Sequence, residues 1–156
     1  MNGKDRLESF LRDNRVPFQV HHHPEAFTAQ EVAAVEHVPG RELAKVVLVS
    51  GAGRMAMAVV PAPKQVDLEK AASAIGVNKV QLASEEEISA QFPDCDTGAM
   101  PPMGNGTLYD VAVYVDGALQ DEGTIVFNAC THTDAIHMGY ADFDKLVKPE
   151  VVDLTT

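Results

Sequence analysis

Leu7, Phe10 and Leu11 recur at helical spacing and predict an amphipathic helix over residues 4–14. Pro17 closes that region, and Val16–Val20 follows as a short strand. Thr28-Ala29-Gln30-Glu31 is a capping box, in which hydroxyl and carboxylate each satisfy a free backbone N–H. A second helix is therefore predicted from Thr28 to Val35, with Pro39-Gly40 ending the connection. Ala44–Ser50 and Arg54–Val60 flank Gly51-Ala52-Gly53 and predict a hairpin. Within it Val47, Val49, Met55, Met57 and Val59 alternate, which gives each strand one core face. Asp67 caps a helix that Gly76 stops after Ile75, and Val80–Leu82 is a brief strand. Ser84-Glu85-Glu86-Glu87 is a second capping box, whose three acids suit a helix start without a metal or partner.

Periodicity then fails. Phe92–Thr107 holds three prolines and three glycines in 16 residues, the mark of a long irregular loop. Beyond it, Leu108–Val115 and Thr124–Asn128 read as strands on either side of Asp116-Gly117. Ala135–Met138 is a further strand, Tyr140–Val147 a short helix and Val151–Leu154 a last strand. Strands interleaved irregularly with short helices predict one α+β domain over residues 1–156, built on a mixed, strongly twisted sheet.

Charge changes the picture more than composition does. With 46% apolar and 22% charged residues the chain is an ordinary globular sequence, but its net charge of −11 is unevenly placed. Residues 1–79 carry 10 basic and 9 acidic side chains, whereas residues 80–156 carry 14 acidic ones against Lys145 and Lys148. Such a chain cannot grip a long stretch of nucleic acid, which needs many Lys or Arg contacts to phosphate, so DNA is not an expected partner. Contact with one nucleic-acid end through the first half stays open. No apolar run approaches the ~18 residues that suggest a membrane span, and MNGKDRLESF lacks the apolar stretch of a secretory signal. A cytoplasmic protein without a membrane partner is expected. Cys95 and Cys130 are too few for a disulfide scaffold and match no zinc spacing, so both are expected as reduced thiols.

Four groups could carry chemistry. Lys45 stands in the otherwise apolar run Leu43–Val49, either snorkelling from a strand end or aimed into a pocket as a cation for phosphate or carbonyl. Gly98-Ala99-Met100-Pro101-Pro102-Met103-Gly104 is either a surface turn or a stiff loop whose N–H groups converge on an oxyanion. Asn128-Ala129-Cys130-Thr131-His132-Thr133-Asp134 invites a Cys–His hydrolase, although sequence proximity does not establish a catalytic geometry. In His21-His22-His23, strand alternation lets only His21 and His23 point together. Two imidazoles without a third ligand make a poor zinc site, so no metal or other cofactor is expected.

In their order and spacing these segments resemble the YbaK/ProX-type superfamily of aminoacyl-tRNA editing domains, free-standing relatives of the prolyl-tRNA synthetase insertion domain. The resemblance runs over residues 4–154. It includes His23–Ala29, the strand bearing Lys45, the Gly-x-x-x-Pro loop Gly98–Pro102 continuing to Met103-Gly104, and Thr-His-Thr-Asp after the late strand. It implies a barrel-like twisted sheet flanked by short helices, and a trans-editing hydrolase that cleaves the ester joining a wrong amino acid to the 3′ end of a tRNA. It further implies that Lys45 lies near the terminal adenosine and that Gly98, Ala99, Met100, Pro101 and Pro102 hold the aminoacyl carbonyl. Phe27, Thr28, Val46, Met103, Gly104 and His132 are then the expected substrate-binding residues, and a synthetase is a possible partner. Cys130 stands where relatives often carry glycine, and Ala99-Met100-Pro101 is bulkier than in some relatives, so the amino acid removed stays open. A non-catalytic module of the same fold, binding an aminoacyl group, a nucleotide or a synthetase, is the alternative.

Overall fold

Helix starts in this chain are written in side chains, and the computed structural model, which describes residues 2–156, forms them as read. Thr28 accepts from the Glu31 N–H while Glu31 reaches back to the Thr28 N–H, and Ser84 and Glu87 do the same. These boxes open α2 (Ala29–Val35) and α4 (Glu85–Gln91), after α1 (Gly3–Asp13). Asp67 caps α3 (Leu68–Ile75), and left-handed Gly76 at φ 87° ends it. The last helix, α5, is Tyr140–Val147.

The strands are β1 (Phe18–His22), β2 (Ala44–Gly51), β3 (Arg54–Pro61), β4 (Gln81–Leu82), β5 (Ala112–Asp116), β6 (Thr124–Asn128), β7 (Asp134–Gly139) and β8 (Glu150–Val152). They form two sheets. One has the order β1-β7-β6 and is antiparallel throughout. The other, β4-β2-β3-β5-β8, is mixed, with β5 parallel to both β3 and β8. A single parallel bridge between Leu43 and Val126 links them. The α+β class is as expected, but the barrel-like sheet is two open sheets, because the β6 edge meets the β2 end at the Leu43–Val126 bridge alone and, among the described residues, no ladder closes the seam.

The hairpin has both faces buried rather than one. Register pairs Val49 with Ala56 and Val47 with Ala58, while Leu48 faces Met57 and Val46 faces Val59. Val47 and Val49 therefore share a face with Ala56, Ala58 and Val60, packed on α3 and Leu154. Met57 and Val59 point the other way, into the main core with Leu7, Leu11, Phe92 and Phe127. A sheet covered on both faces reads as a continuous apolar run, so the valine–methionine alternation marks two cores.

Element ends shifted where side chains or turns satisfied the backbone instead. Val16 donates to Leu11 O at the end of α1, which delays β1 to Phe18. Residues 108–111 stay outside β5, with Leu108 O held by the Arg6 guanidinium at 2.7 Å and Val113 N–H by Asn105 Oδ1 at 2.9 Å. Leu154 N–H goes to Asp116 Oδ1, which ends β8 at Val152. The expectation of two reduced thiols is overturned: Cys95 and Cys130 form a disulfide. Two backbone bonds, Asp96 N–H to Cys130 O and Cys130 N–H to Ala99 O, lay the irregular loop against the β6–β7 turn and so bring the sulfurs together. Cys130 takes φ 71°, a left-handed conformation that favours the glycine of the resembled family.

Candidate active site

Between the hairpin, the start of α2 and the irregular loop lies an open cleft of about 490 Å³. Lys45 and Val46 on β2 line it, with Phe27 and Thr28 before α2, and Gly98 and Met100 from the loop. Six of the expected site residues thus converge from three separate parts of the chain.

Lys45 is tethered as well as aimed. Its Nζ donates to Lys64 O at 2.6 Å and Ala62 O at 3.3 Å, just beyond β3, which leaves one of its three N–H groups free. Burial pushes its pKa below the usual lysine value. The stem therefore does not simply snorkel outward. It carries a held, partly desolvated cation on the cleft wall.

Counting donors narrows the role of the loop. Pro101 and Pro102 have no N–H, and the Ala99 N–H is spent on Asp96 O. Among the described residues, the N–H groups of Gly98 and Met100 have no protein acceptor, and both residues line the cleft. Ala99, Pro101, Pro102, Met103 and Gly104 are buried and do not line it. Gly104 is a packing position, since a Cβ there would stand 2.7 Å from Val113 Cγ2 and closer still to Val111 O.

His132 supports the loop from outside the cleft lining. Its Nε2 donates to Thr97 O at 3.1 Å, its ring lies 4.9 Å from that of Phe27, and its Nδ1 is buried without a partner. The turn that carries it is organised by Asp134, which accepts from Thr131 Oγ1 at 2.7 Å and Thr133 Oγ1 at 3.2 Å and meets His22 Nδ1 at 3.1 Å. Burial pushes the Asp134 carboxyl up, but the bonds from Thr131, His22 and Thr133 and the Lys4 charge outweigh it and hold the pKa below the ordinary value. A depressed carboxyl pKa stabilises the fold above its unfolded value near ~4, and that stability is lost as pH falls through the folded pKa. Asp134→Asn is expected to cost about 1.5 kcal/mol at pH 7, a deficit that narrows below pH 4 in urea titrations. A deficit independent of pH would exclude this role for the charge.

Two lining residues carried little sequence signal. Asn128, at the end of β6, lines the cleft, and its Oδ1 is buried without a hydrogen-bond partner. In the sequence it stands only at the head of the Asn128–Asp134 segment, where Cys130 and His132 draw the attention. Leu82, 62% exposed on β4, and Phe27, 60% exposed, belong to the same lining; the sequence places Leu82 in a brief strand but carries no sign of a site there. A larger cleft of about 650 Å³ at the hairpin tip contains Arg54 and Lys79 but none of the expected site residues.

Residues 23–146 match the family model of the aminoacyl-tRNA editing domain. The chain belongs to that family. Over 91 residues, 58% of this chain, it is 31% identical to a proline–tRNA ligase of Thermosipho africanus (strain TCF52B), of which the match spans only 16%. The editing-domain fold recurs in a solved candidate trans-editing enzyme for prolyl-tRNA synthetase, with a TM-score of 0.84 and 19% identity over 99% of this chain and 97% of that one. The hypothetical protein APE2540 superposes with a TM-score of 0.86 at 18% identity, covering 97% of this chain and 99% of that one. At those identities the two structures speak for the fold. Among the described residues, no helix of this editing-domain protein is long and apolar enough to cross a membrane.

Proposed function

We propose that the cleft is a hydrolytic site for the ester of a mischarged aminoacyl-tRNA. The observation that carries this reading is the meeting, in one cleft, of the tethered Lys45 cation with two unspent loop amides, Gly98 and Met100. An aminoacyl ester is already activated, so positioning and oxyanion stabilisation supply most of what the reaction needs. Water, oriented by the neighbouring ribose hydroxyl, attacks the ester carbonyl carbon and gives up a proton. The Gly98 and Met100 N–H groups hold the resulting oxyanion, and collapse breaks the bond to the ribose oxygen. That oxygen takes a proton, leaving the free tRNA end and the amino acid. Lys45 anchors the terminal phosphate through its free N–H. The unpartnered Asn128 Oδ1 accepts from the substrate ammonium, and the exposed Phe27 and Leu82 flank the terminal base.

Selection then follows cleft size, as expected for a second sieve where one methylene is worth only ~1–3 kcal/mol to a synthetase. The ligase relative and the trans-editing neighbour favour tRNA served by prolyl-tRNA synthetase as the substrate, with that synthetase as the delivering partner. Binding should be weak and salt-sensitive, because among the described residues Lys45 is the one cation in the cleft lining and Arg41, elsewhere in the first half of the chain, is paired with Glu122 at 3.1 Å. The Cys–His hydrolase finds no support, since Cys130 is 2% exposed and its sulfur is bonded to Cys95.

A panel of misacylated tRNAs tests the proposal. Wild type and Cys130→Ala are both expected to release amino acid, and Asn128→Ala to lose roughly tenfold in kcat/KM as one hydrogen bond to a charged group disappears. Binding without turnover on every substrate would favour the non-catalytic module. Turnover lost in Cys130→Ala alone would favour the thiol enzyme.

A further inference from the structure

Outside the cleft, His21, Glu36 and His137 bring three ligating atoms together on the three-stranded sheet. β1 pairs with β7 so that Gln19 lies opposite His137, which makes His21, two residues along on the same face, its diagonal neighbour. The two rings stand 4.1 Å apart. Glu36, the residue that ends α2, presents one oxygen to both: Oε1 is 3.0 Å from His21 Nδ1 and 2.6 Å from His137 Nε2. The Glu36 side chain is 3% exposed, that of His137 14% and that of His21 42%, so the cluster is closed below and open on the His21 side. Gln19 Oε1 lies 3.2 Å from His21 Nε2, an acceptor that turns the ring so that Nδ1 faces Glu36.

We propose that His21 Nδ1, His137 Nε2 and Glu36 Oε1 form a zinc site, with water entering the fourth position from the open side. Two imidazoles and a carboxylate are an established donor set for this ion, and an outer partner such as Gln19 on the far nitrogen of a ligand histidine is the usual companion. Ligands at 2.0–2.1 Å in a tetrahedron stand about 3.3 Å apart, so zinc entry must widen the 3.0 Å gap between Glu36 and His21 by about 0.3 Å and the 2.6 Å gap between Glu36 and His137 by about 0.7 Å. The half-exposed His21 ring can supply the smaller movement by rotating outward, and the larger one falls to the Glu36 and His137 side chains. Zinc takes the place of the protons that now join the two imidazoles to the carboxylate.

The consecutive histidines are not this site. The expected partnership of His21 with His23 fails, because His23 is buried and its Nδ1 bonds Pro24 O, outside β1. His22 points away to Asp134. The missing third ligand comes from Glu36, 15 residues on, and the second imidazole from His137, on a strand that no local spacing connects to the run. The ion would be structural. It would pin the end of α2 to the sheet, and the other end of that helix starts at Thr28 on the cleft wall.

Calorimetric titration of Zn²⁺ into chelator-treated, tag-free protein tests the site, with Co²⁺ absorption reporting the coordination geometry. One equivalent is expected to bind, to raise the melting temperature, and to give tetrahedral cobalt bands. Glu36→Gln, which keeps the side-chain shape, His137→Ala and His21→Ala should each weaken binding by more than the roughly 10–100-fold typical of outer-partner substitutions. His22→Ala should bind as wild type does. The site would be overturned by the absence of stoichiometric binding, or by binding that survives Glu36→Gln and disappears with His22→Ala. Circular dichroism of each variant separates lost ligation from lost folding.

Discussion

Lys45→Ala is expected to lower kcat/KM on a mischarged tRNA by roughly 10–100-fold, mainly through KM, while the protein stays folded. The magnitude is that of one hydrogen bond to a charged phosphate in a partly desolvated cleft, and the burial that lowers the Lys45 pKa marks that environment. An anchor on the terminal nucleotide holds ground state and transition state alike, which places the loss in KM. Structural damage should be slight, because the shorter of its two bonds goes to the carbonyl of the exposed Lys64, just past the end of β3, where water can replace the ammonium. Lys45→Arg should not restore activity, since a planar guanidinium on a longer side chain directs its N–H groups in one plane and does not match the tetrahedral ammonium that meets two carbonyls and the cleft. Steady-state kinetics with a melting curve on each variant checks both halves. Unchanged KM in Lys45→Ala would remove the residue from substrate binding.

Gly104→Ala should do the reverse and destabilise the fold by about 3 kcal/mol, or ~6–12 °C in melting temperature. The added Cβ would overlap Val111 O and stand 2.7 Å from Val113 Cγ2. Neither neighbour can give way cheaply. Val111 O accepts from the Asn105 N–H at 2.8 Å, and the Val113 backbone in β5 is held by Asn105 Oδ1, so both are fixed by Asn105, the residue next to Gly104. Thermal and urea unfolding measure the effect. A variant as stable as wild type would return Gly104 to the list of candidate ligand contacts.

These two residues show what the chain made legible. Local rules carried far: Thr28, Asp67 and Ser84 announced their helices because capping is settled within four residues. Lys45 and Gly98 were legible because a cation in an apolar strand and a glycine in a proline-rich loop each break a local rule. Whatever depended on distant chain segments was hidden. The opposite facing of Val49 and Met57 needed the register of β2 against β3. The Cys95–Cys130 pairing needed the loop to dock on the β6–β7 turn. Of the loop Gly98–Gly104, the sequence could name the stretch but not the two usable donors, since the Ala99 N–H is removed by its bond to Asp96 O. Asn128 stood out only once the fold placed it in the cleft lining with a buried, unpartnered oxygen.

The most direct measurement is a crystal structure with a non-hydrolysable 3′-aminoacylamide analogue of the tRNA terminus. The expected result puts the aminoacyl carbonyl oxygen within about 3.1 Å of the Gly98 and Met100 nitrogens, with Lys45 Nζ on the terminal phosphate and Asn128 Oδ1 on the ammonium. An analogue seated at the hairpin-tip cleft beside Arg54 and Lys79, or one whose carbonyl faces away from both loop amides, would contradict it.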